Sequence, residues 1–100
     1  MEIYEIKKTI LEKFPISKNK GSQQEIWKQI QNFDSSLRLE LETFLKTGDL
    51  PLREENGFTV KKLIDEYGMN PIGAFLTLDW IIKKPKEALK ALAHGFDEIK

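Results

Sequence analysis

Cysteine is absent from this chain of 100 residues, and histidine occurs once, at His94. The first absence excludes disulfides, thiolate nucleophiles and thiolate metal ligands; the two together exclude multi-histidine metal sets and Cys-His dyads. A sequence without cysteine also agrees with a reducing compartment. Valine too occurs once, at Val60, while leucine, lysine and glutamate are plentiful, and that bias favours helix over sheet. Long apolar runs are missing: the longest uncharged stretch, Gly68 to Leu78, has eleven residues and contains Asn70, Pro71 and Thr77, too short to span a bilayer. The opening MEIYEIKKTI alternates charged and apolar residues and lacks the apolar core of a signal peptide. These absences predict a cytoplasmic chain without membrane contact. Net charge is lacking as well, with 16 basic and 16 acidic residues, so the chain exerts no long-range pull on nucleic acid or anionic lipid.

What is present is helical periodicity. In residues 22–46, Ile26, Ile30, Phe33, Leu37, Leu41 and Phe44 recur at intervals of four and three, one face of an α-helix, with Trp27 and Leu45 widening the stripe. A continuous helix over this stretch would be roughly 36 Å long. Ser22 and Glu25 form a capping-box pattern that would start it. Asn32, Asp34, Ser35 and Ser36 weaken its middle, because their side chains compete for backbone hydrogen bonds. The stripe keeps its phase there, so the stretch either bends or breaks in a very tight turn near Asp34, with Asp34 or Ser35 as the new cap.

Four shorter helices flank it. Residues 2–14 place Ile3, Ile6, Ile10 and Phe14 on one face, and Pro15 ends that helix. Ile16 to Gly21 reads as an exposed polar linker. Thr47-Gly48 closes the long stretch with a glycine suited to a left-handed turn. Leu50 and Leu52, either side of Pro51, should pin the following loop to the core, and Asn56-Gly57 is a turn signal that leaves a short hairpin within 50–60 open. Thr59 caps a helix to Tyr67, stopped by Gly68. Asn70-Pro71 starts another, 71–83, whose apolar residues lie nearly all the way round it. Residues 86–94 form the last, with Gly95 as its stop and Phe96 and Ile99 able to add packing.

The expectation is therefore an all-α, compact bundle of about five helices forming one domain, 1–100. Its core should draw Ile6, Ile10 and Phe14 from the first helix and Ile26, Ile30, Phe33, Leu37, Leu41 and Phe44 from the long stretch. Leu63, Ile64, Phe75, Leu76, Leu78, Ile82, Leu89 and Leu92 complete it.

A candidate helix-turn-helix covers 59–82, with Gly68-Met69-Asn70 as the turn. Any two helices joined by a tight glycine turn produce the same pattern. Base reading needs polar groups at the start of the second helix, and this sequence places Ile72, Gly73, Ala74, Phe75 and Leu76 there. Asn70 and Thr77 are the polar candidates, with Lys61, Lys62, Lys83, Lys84 and Lys86 as phosphate contacts, while Asp79 would repel phosphate. Lys83 and Lys84 equally suit the negative end of a helix dipole, as does His94.

Catalysis has less support. The carboxylate pairs Glu40/Glu42, Glu54/Glu55 and Asp65/Glu66 are neighbours that diverge on a helix, and no glycine-rich phosphate loop follows a strand. No catalytic residue, cofactor or metal is expected. The function the sequence favours is a small protein–protein interaction or adaptor module, with helix-turn-helix DNA binding as the alternative. Tyr4, Leu39, Leu78 and Trp80 fall off the main stripes and are candidate interface residues, although Leu78 also belongs to the expected core and a tryptophan packs as readily inside. The partner would be a second copy, packed through the 22–46 or 71–82 helices, or another protein whose amphipathic helix lies in a groove.

Overall fold

The computed structural model describes residues 1–14, 16 and 19–94, with His94 placed in its helix by backbone alone. Pro15, Ser17, Lys18, Gly95, Phe96, Ile99 and the His94 side chain, with the roles assigned to them above, lie outside the described residues. Among the described residues six helices follow one another: α1 (Ile3–Lys13), α2 (Lys20–Gln31), α3 (Ser35–Thr47), α4 (Val60–Tyr67), α5 (Pro71–Lys83) and α6 (Pro85–His94). The fold is all-α, with a radius of gyration of 13.1 Å, the size of a compact domain of this length.

The stretch 22–46 breaks rather than bends, which makes six helices of five segments. The Asn32 amide still reaches the Lys28 carbonyl, and Phe33 closes a tighter turn onto Ile30. Asp34 then adopts an extended backbone and accepts the Leu37 amide at 2.7 Å, capping α3. That bond satisfies a donor which an uninterrupted helix would have paired internally. The break lets each half rotate on its own. Trp27 and Ile30 are buried in α2, and Leu37, Leu41 and Leu45 in α3, while Ile26 and Phe44 are half-buried.

The start of α2 differs from the capping-box expectation. Asn19 is the cap, accepting the Ser22 amide at 3.1 Å, so Lys20 and Gly21 are helical rather than linker. Ile16 packs against the core. An asparagine three residues earlier offers the same acceptor to a longer helix, which adds backbone bonds. The remaining caps follow their signals. Gly48 and Gly68 take left-handed conformations at φ 82° and 67°, Thr59 accepts the Lys62 amide, and Asn70 accepts the Ile72 amide beside Pro71.

Between α3 and α4, Asn56 and Gly57 both have positive φ, 51° and 86°, the signature of a type I′ turn. Glu55 and Phe58 exchange backbone hydrogen bonds of 2.8 and 2.9 Å across it. Pairing stops at that bridge, and no longer hairpin forms among the described residues. Pro51 lacks a donor on one side, and Thr59 already caps α4 on the other.

Buried side chains from all six helices form one cluster. Helix α5 lies at its centre, packed on α2, α3, α4 and α6, while α1 packs on α2 and α3. Ile72, Ala74, Phe75, Leu78 and Ile81 of α5 are buried, with Ile81 in place of the expected Ile82. Phe14, Ile64, Leu76 and Leu89, also expected inside, are half-buried. Phe44 stacks between Phe14 and Phe75, with ring centroids 5.6 and 5.7 Å away, tying α3 to α5. Polar ties hold α2 to α5 as well. Gln29 donates to the Leu76 carbonyl at 2.9 Å and to buried Asp79 at 3.1 Å. Lys83 pairs with Asp79 and donates to the Asn32 carbonyl at 2.8 Å, so a carboxylate inside the bundle keeps both a cation and a donor.

Candidate functional site

The four residues singled out as interface candidates go to different places. Tyr4 on α1 and Leu39 on α3 are 65% and 64% exposed, Leu78 is completely buried, and Trp80 is half-buried against the core. Leu78 therefore has no surface to offer, because α5 is covered on more than one side and its off-stripe positions still face neighbouring helices. Four residues do not make one patch.

The groups assigned to nucleic acid are mostly engaged in holding helices. The Asn70 side chain caps α5, and the Thr77 hydroxyl donates to the Gly73 carbonyl at 2.8 Å. Lys62 donates to the Gly57 carbonyl and sits 5.0 Å from the centre of the Phe58 ring. Lys83 is held by Asp79 and Asn32, and Lys61 pairs with Asp65 at 3.7 Å. Lys84 and Lys86 are exposed beside Pro85 and Glu87. Every residue from Pro71 to Ile82 is buried or half-buried, so the helix that would enter a DNA groove presents no protruding reader.

One cleft lies along α3. After Gly48 the chain doubles back: Leu50 and Pro51 line a cleft of about 200 Å³ with Leu39, Glu40, Thr43 and Asp49. Leu50 is partly buried and anchors this return. Leu52, expected to anchor it too, is 91% exposed: a regular extended segment would put it on the same side as Leu50, and residues 50–52 form no regular strand.

Arg53 fixes the returning segment to α3, a role the sequence reading missed. Its Nε donates to Glu55 at 2.9 Å, its Nη2 to Asp34 at 3.2 Å, and its Nη1 makes longer contacts of 3.4 Å to Asp34 and Glu40. The planar fork of guanidinium suits this simultaneous grip in a way that a lysine would not. One signal was available: a lone arginine beside Glu54 and Glu55 in a chain whose cations are otherwise mostly lysine. The Arg53 guanidinium, with the Leu37 amide second, holds the Asp34 carboxyl below its ordinary range. In turn Asp34, and after it Glu55, raise the pKa of Arg53. The second oxygen of Glu40 is buried without a hydrogen-bond partner among the described residues.

Among the described residues no three His, Cys, Asp or Glu side chains converge as a metal site, and no helix is long and apolar enough to cross a membrane. Comparisons with protein families, with curated proteins and with solved structures find no match.

Proposed function

We propose that this chain is a non-catalytic docking module that binds another protein through the face formed by α3 and residues 49–53. The observation that carries this reading is the exposure of Leu39 and Leu52, 64% and 91%, the first in the wall of the cleft and the second next to its Pro51. Neither side chain serves the fold, and a single exposed leucine is ordinary. Two of them beside a formed cleft, on a segment already fixed by Arg53, are a different matter. Burying each against a partner contributes about 1.5–3 kcal/mol, and a fixed segment has little freedom left to lose on binding.

A photo-crosslinking residue at position 52, introduced in the cells that make the protein, tests this. It should give an adduct of discrete mass that disappears when Leu39→Ser is added, with the melting temperature unchanged. The same residue at exposed position 11 on α1 should give none. An adduct equal in mass to two copies would identify the partner as a second copy of the chain. Absence of an adduct from position 52, or one indifferent to Leu39→Ser, overturns the reading. Salt-sensitive retention on heparin without any adduct would put nucleic acid in its place.

A further inference from the structure

The chemistry of the α3 cleft restricts what can occupy it, and we infer that the partner inserts a lysine or arginine flanked by aliphatic residues. This inference rests on the docking reading above and goes on to specify the partner. At about 200 Å³ the cleft is smaller than the roughly 300–1,000 Å³ of ordinary small-molecule pockets, and its size suits a side chain rather than a helix. Its lining mixes two kinds of group. Leu39, Leu50 and Pro51 supply apolar surface, while Glu40 and Asp49 supply carboxylates. An apolar stem ending in a cation matches both at once, because lysine and arginine bury their methylenes on apolar surface and keep the charged head among acceptors.

The charge balance points the same way. Asp34, Glu40 and Glu55 surround Arg53, and Asp49 joins Glu40 in the lining of the cleft, with Lys46 one turn beyond Thr43. Arg53 is already shared among three of those carboxylates, and Glu40 receives only its long 3.4 Å contact. The second oxygen of Glu40 has no donor among the described residues, so Glu40 keeps an unfilled acceptor in the lining of the cleft. A partner carboxylate or phosphate would meet repulsion on the same surface. Leu52, next to Pro51, then contacts an aliphatic neighbour of the inserted cation.

Panning a random-peptide phage library against the full chain, followed by amide chemical-shift mapping of the selected peptides, tests the inference. The expected pool is rich in lysine or arginine beside leucine, isoleucine or valine, and its peptides shift the amides of Leu39, Thr43, Leu50 and Leu52. Asp49→Asn and Glu40→Gln should each weaken these peptides, and together by about tenfold at low salt, with the difference shrinking as salt rises. Because Glu40 also touches Arg53, Asp49→Asn, at an exposed position outside that network, keeps the test valid if Glu40→Gln unfolds the chain. A pool that maps to the same residues but is acidic or lacks cations overturns the basic partner while leaving the docking face standing. A pool that maps elsewhere, or no enrichment, overturns both.

Discussion

Arg53 touches three carboxylates with one side chain, and Asp34 is the acceptor it shares with the backbone of α3. Removing the guanidinium by Arg53→Ala should release Asp34 toward the ordinary carboxylate range, because its largest stabilising contact is gone. The sign of the pH dependence follows. A depressed folded-state pKa contributes stability that is present above the unfolded-state value and is lost as pH falls through the folded one. The stability gap between wild type and Arg53→Ala, about 1 kcal/mol at neutral pH for a partly exposed network, should therefore close as acid protonates Asp34. Carboxyl carbon NMR titration of Asp34 in both chains measures the shift, and an unmoved midpoint would assign the depression to the backbone amides of Leu37 and Ser36. Gly73 offers a second test at this scale. It lies inside α5, where an added Cβ meets nothing within 4 Å, so Gly73→Ala should stabilise the fold by about 0.5–1 kcal/mol through the lower entropy of the unfolded chain. A lower melting temperature would reveal a close approach at that position.

Helix ends separate what this sequence displays from what it conceals. Asn19→Ala and Asp34→Ala should each cost about 0.5–2 kcal/mol, whereas Ser22→Ala should fall within about 0.5 kcal/mol of wild type. Urea melts of the three variants check the order, and a costly Ser22→Ala would restore the capping box. Asp34, Thr59, Gly68 and Asn70-Pro71 were legible because a cap and the amide it serves lie within a few residues of each other. Ser22 misled because a second acceptor, Asn19, stood three residues upstream. Whether Ile26 or Trp27, and Phe44 or Leu45, face inward depended on how α2 and α3 rotate once the chain breaks at Asp34, and that is set by distant neighbours. The candidate site was legible in one residue only. Leu39 stood off its stripe and is exposed, whereas Leu78 stood off its stripe and is buried because α5 has helices on several sides. Leu52 and Arg53 belong to a segment without periodicity, and their placement follows from ion pairs reaching back to Asp34 and Glu40.

Across the whole molecule, α5 decides whether six short helices melt as one unit. Helix α1 packs on α2 and α3, α4 and α6 pack on α5, and α5 joins the groups through its contacts with α2 and α3. The joint is specific: Phe75 stacks on Phe44, Asp79 accepts from Gln29, and Lys83 reaches Asn32. Phe75 is fully buried, so Phe75→Ala should cost about 3–5 kcal/mol, a large share of the roughly 5–15 kcal/mol that holds a domain together. The two tryptophans allow each side of the joint to be watched, Trp27 in α2 and Trp80 in α5. In Trp27→Phe and Trp80→Phe backgrounds, the remaining indole should report the same urea midpoint, and Phe75→Ala should lower both midpoints together, since all six helices share one buried cluster. If Trp80 instead loses its folded signal well before Trp27, the joint is weaker than the groups it connects, and α1 to α3 would form a cooperative unit of their own. The proposed docking face would then survive in part without α5, because Leu39, Glu40 and Thr43 all lie on α3. Coincident midpoints mean that the cleft exists only when the central helix is in place.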